Sequence, residues 1–291
     1  MGVALSCKSA SGRTQSDTGE PPALLFDQHI LEEIFLKLPY TQVVRVCRLV
    51  CHQWKEVADS QSLWKEKCRR DGYKLCDTTK IPTDWRLFYA LCHNKQNLLK
   101  NSCGEDQLKG WQMLDKGQKW QVKKLWEPHP NEKVRTNFVT SYGRCRKMQL
   151  IDLKKKGYSS SFMDEFQPAI RVTDWYAALW DCAIEYTIFV KLLNQKKEVI
   201  NEFCPEPFYF EPRFDLQWNQ VCIETKNHNN KVRLKTSAMN SFQVTHIFRN
   251  YGPGVRYVII VHGGSVRRFW SEWCGIRITD TCIEICPAEA T

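Results

Sequence analysis

The chain lacks any run of 18 or more apolar residues and has no apolar stretch at its N-terminus, which speaks against a spanning helix and a secretory signal. It also has no Asn-x-Ser/Thr acceptor, as expected of a chain that is not itself a glycosylation substrate. Among its 14 cysteines there is no CxxC pair, the nearest spacings being Cys47/Cys51 and Cys282/Cys286. That argues against a zinc or redox site, and the cysteines read as small buried hydrophobes in a reducing compartment. A cytoplasmic location is the expectation.

Catalytic signatures are missing as well. The seven histidines form no HExxH, and there is neither a GxSxG elbow nor a GxxxxGK[ST] phosphate loop. His262-Gly263-Gly264 reads as a tight strand end. We expect no catalytic residue, no metal and no cofactor. The net charge of +10 would permit nucleic-acid binding, yet cations and acids are interspersed, and the nearest approach to a basic tract is KKK at 154–156. A solvated surface, with no nucleic-acid partner, is the reading.

What is present suffices for about two domains in 291 residues. Residues 1–22 read as a flexible tail, being rich in Ser, Thr, Gly and Pro from residue 8. Its first residues, MGVALSC, match the N-myristoylation pattern with Gly2 as acceptor, and Cys7 offers a palmitoylation site; the alternative is an unmodified tail. Two acyl chains would anchor the protein to a membrane where one would not.

From Leu24 the pattern turns helical. Ile30, Leu31, Ile34, Phe35 and Leu38 are helically spaced, and Pro39 ends the first helix. A second helix, capped by Thr41, is expected to carry Val43, Val44, Cys47, Val50, Cys51 and Trp54 on one face. The run LKLPYTQVVRVCRLVCHQWKEVADSQSLWKEKC resembles an F-box. Its Leu-Pro step is Leu38-Pro39, its VCxxW is Val50, Cys51 and Trp54, and its LW is Leu63-Trp64. The resemblance implies helix-in-groove docking of these seven residues on the Skp-type adaptor of an SCF ubiquitin ligase, with its cullin scaffold. Leu25-Phe26-Asp27 stands where the family commonly has Leu-Pro, so a weakened first helix cap is expected.

Residues 85–92 place Leu87, Phe88, Leu91 and Cys92 on one helical face, a linker over 70–102. Beyond Cys103 the period becomes two: Tyr186, Ile188, Val190 and Leu192 share one side, as do Phe242, Val244, His246 and Phe248, and Val255, Tyr257, Ile259 and Val261. The expected class is α+β: an F-box at 23–69, the helical linker, and an antiparallel β-sandwich or jelly roll at 103–288.

The blocks NLLKNSCGEDQLKGW, FVTSYGRCRKMQLIDL, DWYAALWDC and YGPGVRYVIIVHGG look like the F-box-associated domain of the sugar-recognising F-box family, a galactose-binding-like jelly roll. With the tail's acylation pattern, the likeness is to the N-terminally acylated members. In glycan-binding members, an aromatic-Trp-Lys or aromatic-Trp-Ala segment contacts the inner chitobiose of N-glycans, faced by an aromatic of the Thr-Ser-aromatic block. The resemblance puts those contacts on Phe269, Trp270 and Ser271, with Tyr142 opposite. Phe269 for Tyr and Ser271 for Lys trim polar contacts while keeping a stacking ring. The bland reading has Phe269, Trp270 and Trp273 capping the sandwich core. The implied function is an SCF receptor for high-mannose N-glycans on misfolded or damaged glycoproteins; the alternative is a receptor that binds protein clients without sugar. Residues 218–241 read as an insertion or long hairpin.

Overall fold

A computed structural model describes residues 27–75, 78–115, 119–178, 183–210, 222–223, 234–235, 243–266 and 275–289. The chain divides into two compact units, Met1–Leu63 and Trp64–Thr291.

The first unit is helical. Helix α1 (Gln28–Lys37) is capped by Asp27, whose carboxylate accepts the His29 N–H at 2.8 Å. This corrects the expected weak start, because an aspartate at this position satisfies an orphan amide that a Leu-Pro pair would leave to other means. The helix stops where Leu38 turns extended, as the residue before a proline must. The expected second helix is in fact broken: α2 (Tyr40–Arg45), a 3-10 turn (Cys47–Leu49), then α3 (His52–Asp59). Thr41 is not the cap. Pro39 holds that position, and its carbonyl accepts from the Gln42 and Val43 amides at 3.0 and 3.1 Å. The break falls between Val46, which ends α2 with a distorted φ of −118°, and Cys51, which is fully extended. Four valines between 43 and 50 lower helix propensity across it.

Arg48 bridges the break by gripping Asp59 with contacts of 2.8 and 3.1 Å. The Phe35 ring meets Trp54 edge-on at 5.3 Å, and Leu31, Phe35, Val43, Cys47 and Val57 are buried.

Helix α4 (Gln61–Arg70) carries the chain into the second unit. There α5 (Trp85–His93) starts at Asp84, whose side chain accepts from the Leu87 amide at 2.9 Å. Its buried residues are Phe88, Tyr89 and Cys92; Leu87 and Leu91 are half-buried. Phe88 packs edge-on against Phe166 and Tyr89 against Trp64, so the helix shares the unit's core.

Among the described residues the sandwich has eleven main strands: β1 (Gln112–Met113), β2 (Trp120–Lys124), β3 (Thr136–Thr140), β4 (Cys145–Asp152), β5 (Ala169–Ala178), β6 (Ile184–Leu193), β7 (Val199–Phe203), β8 (Phe208–Phe210), β9 (Gln243–Phe248), β10 (Tyr257–Val266) and β11 (Ile276–Cys286). One antiparallel sheet has the order β9-β5-β11-β3-β2. The other has β1-β4-β10-β6-β7, with β8 also on β6. From β3 to β6 and again from β9 to β11 the chain changes sheet at every step, which is jelly-roll connectivity.

Strand β6 buries Tyr186, Ile188, Val190 and Leu192, as the alternation predicts, and Val244 and Phe248 of β9 are buried beside a half-buried His246. Phe242 lies outside the described residues. In β10 the inward residues are Val258, Ile260 and His262, while Tyr257, Ile259 and Val261 face outward. YVIIV has no polar position to set its phase, and a one-residue slip exchanges the faces.

His262-Gly263-Gly264 is likewise inside β10 rather than at its end. Neighbouring backbones close on both glycines: an added Cβ would lie 1.9 Å from the Cys145 carbonyl oxygen at Gly263 and 1.9 Å from that of Glu185 at Gly264. Within the insertion, Cys222–Ile223 pairs antiparallel with Leu234–Lys235.

Candidate functional site

The exposed apolar face of the first unit is built by phase. Leu31 and Phe35 turn inward on α1, which leaves Ile30 and Ile34 outward, 56% and 41% exposed. The helical break does the same further on, leaving Val46, Leu49 and Val50 more than half exposed. Pro39 and Cys51 are also exposed, and Leu38 and Trp54 are half-buried. Leu63 and Trp64 differ from expectation: at 1% and 0% exposure they are packing residues, with Trp64 against the Tyr89 ring at 5.4 Å. A side chain sealed in its own chain offers a partner no surface. The sequence reading missed Leu49 and Val46, whose signal is an apolar residue off the buried stripe.

At the sandwich, Tyr142 stands on the short β3–β4 turn, 44% exposed. The turn is held by Ser141, whose N–H donates to the Lys119 carbonyl at 2.9 Å and whose hydroxyl accepts the Lys119 N–H at 3.1 Å. Residues 267–274 lie outside the described residues, and with them Phe269, Trp270, Ser271 and Trp273. Both stems of that segment are described. On one side, the Val266 N–H donates to the Tyr142 carbonyl at 3.4 Å. On the other, the Ile276 N–H donates to the Thr140 hydroxyl at 2.9 Å, and a Cβ on Gly275 would meet that hydroxyl oxygen at 2.2 Å. Three consecutive residues, 140–142, therefore border the entrance and exit of the aromatic segment. Gly2 and Cys7 also lie outside the described residues.

Beneath this end is a buried polar cluster that no sequence motif announced, since its members come from five strands. The Asp174 carboxylate accepts from Tyr186 at 2.5 Å and Thr281 at 2.8 Å, and contacts His262 Nδ1 at 2.5 Å. His262 and Lys147 are register partners across β10 and β4. Lys147 Nζ lies 3.5 Å from the ring centroids of both Trp111 and Phe138 and finds no hydrogen-bond acceptor among the described residues. Burial holds the Lys147 ammonium far below its ordinary pKa, and burial also pushes His262 down. All four polar residues, Lys147, Asp174, His262 and Thr281, are 0% exposed. Sealed from solvent in this way, the cluster ties the strands of the two sheets together. Among the described residues, no group of three or more His, Cys, Asp or Glu could hold a metal, and no helix is long and apolar enough to cross a membrane.

The F-box-like family model matches residues 28–70, and the model for the F-box associated region matches 89–234 and 222–285. The chain belongs to the F-box and F-box-associated family. It is 37% identical to F-box only protein 6 of Bos taurus over 263 residues, covering 89% of this chain and 91% of that one. It is 36% identical to F-box only protein 44 of Homo sapiens over 265 residues, covering 89% and 95%. Among solved structures, the carbohydrate-binding module TmCBM61, in complex with β-1,4-galactotriose, aligns with a TM-score of 0.37 at 11% identity, over 65% of this chain and 97% of that one. A likeness of that size says nothing about the ligand of this chain.

Proposed function

We propose that the chain is the client receptor of an SCF-type ubiquitin ligase that binds N-glycans, through the inner chitobiose of high-mannose chains, on misfolded or damaged glycoproteins and directs their ubiquitination. The observation that carries this reading is the pinning of both stems of 267–274 to the turn bearing the exposed Tyr142. A sugar needs an aromatic face for stacking and polar groups beside it, and this arrangement supplies Tyr142 next to a segment holding Phe269, Trp270 and Ser271. The exposed apolar residues of the first unit, Ile30, Ile34, Leu49, Val50, Pro39 and Cys51, suit the groove of a Skp-type adaptor. The mechanism is positional: holding a client lysine near the charged conjugating enzyme raises its effective concentration, and the chain makes no bond itself.

Glycan-array binding of the full chain tests the reading, with Tyr142→Ala and Trp270→Ala alongside. Each substitution should weaken chitobiose-containing glycans about tenfold or more while the Tyr142→Ala melting temperature stays unchanged. Absence of binding by all three proteins would favour a receptor for protein clients without sugar. Acylation of Gly2 and Cys7 would place the receptor at membranes, and the intact mass of the N-terminal peptide from cells reads it directly.

A further inference from the structure

Two lysines of the run at 154–156 line a groove. Lys155 and Lys156, on the turn after β4, face a cavity of about 700 Å³ together with Lys100 and Lys197. Its floor is the outer face of the six-stranded sheet, where Leu150 is 41% exposed beside Tyr257. One wall is fixed to the Lys100 backbone, because the Gln149 amide accepts its N–H at 2.8 Å and donates to its carbonyl at 3.1 Å.

Against these four lysines the described lining sets one carboxylate, Asp152, already engaged with Lys155 through its backbone N–H at 3.1 Å and its ammonium at 4.0 Å. Burial and the like charge of Lys100 both hold the Lys156 ammonium below its ordinary pKa. Cations gathered with so little counter-charge are relieved by an incoming anion. The groove is also distant from the proposed glycan site. Asp152 and Tyr257 pair at one end of the β4–β10 ladder, and Cys145 and Gly264, near Tyr142, at the other.

The type of cation narrows the ligand. Lysines are point charges on flexible stems, and among the described residues no arginine fork lines this groove, so it suits several carboxylates spread along a chain better than one phosphate gripped bidentately. The floor of Leu150 and Tyr257 adds a place for an apolar side chain. We propose that this groove docks an acidic protein segment carrying an apolar anchor residue, independently of glycan recognition.

Fluorescence polarisation of the full chain with a labelled heptapeptide, DEDLEDE, tests this. Saturable binding is expected, weakening about tenfold or more between roughly 50 and 300 mM salt, and about tenfold or more in Lys156→Glu/Lys197→Glu. A milder Lys100→Gln/Lys155→Gln variant should show an intermediate loss. Glycan binding and melting temperature should be unchanged in both variants, and replacing the central leucine of the peptide by serine should weaken binding severalfold. Undiminished binding by both variants, no saturation below about 1 mM, indifference to the leucine, or capture by anionic-lipid vesicles in preference to the peptide would each overturn the proposal.

Discussion

Replacing Lys147 by methionine should stabilise the protein. The side chain is fully buried and its Nζ has no acceptor among the described residues, an uncompensated donor that costs about 1–3 kcal/mol. A protonated amine would recover up to about 2 kcal/mol from the two rings beneath it, less than the several kcal/mol needed to strip an ion of water. Methionine has nearly the same length and no polar head, and its sulfur can rest against the same aromatic faces. The usual danger, an orphaned partner charge, does not arise: Asp174 retains Tyr186, Thr281 and His262.

The expected gain in Lys147→Met is about 1–3 kcal/mol, or roughly 2–10 °C in Tm for a unit of this size. Urea denaturation at two pH values adds an independent check. The folded pKa of Lys147 is depressed, so the unfolded chain binds a proton that the folded chain resists. Wild-type stability therefore rises with pH toward the ordinary lysine value, about 10.4, and the advantage of methionine shrinks over the same range. A variant less stable than wild type by about 1 kcal/mol or more, or a gap that widens with pH, would mean that the ammonium is a needed counter-charge for Asp174.

Gly263→Ala should destabilise by about 3 kcal/mol or more, because the new methyl would meet the Cys145 carbonyl at 1.9 Å between two paired strands; denaturation midpoints equal to wild type would refute it. His246, stacked on Phe203 at 4.1 Å, has its pKa pushed down to about 4 by burial. Its contribution is complete above pH 6.5 and lost as pH falls to 4, up to about 3 kcal/mol, so His246→Phe should flatten stability across that window, and an unchanged slope would count against it. Leu49→Glu should abolish co-purification with a Skp-type adaptor at unchanged Tm, whereas Leu63→Ala should cost about 2–5 kcal/mol of stability instead. The opposite pattern would reverse the roles given to these two leucines.

Local spacing made much of the architecture readable. The Leu38-Pro39, VCxxW and LW steps set the helical module, and alternation in β6 placed its inward face without ambiguity. Where polar residues were absent, as in YVIIV, the strand was legible but its phase was not. Leu63 and Trp64 show a related limit: a motif reports that residues matter, not whether they face a partner or are buried in their own chain. Asp174, Lys147 and His262 were invisible as a group because strand crossovers, not sequence proximity, bring them together. Tyr142 could be named from its block, but its place beside the aromatic segment depends on two long-range hydrogen bonds, Val266 to Tyr142 and Ile276 to Thr140.

Those two hydrogen bonds hold the scaffold on either side of residues 267–274. Ladder pairing carries β10 to Val266 and resumes at Ile276, so the strands on either side are held by their own ladders. Swapping these eight positions between relatives should retune what the receptor captures while leaving its folding and its ligase attachment alone, a division of labour by which one framework diversifies its clientele.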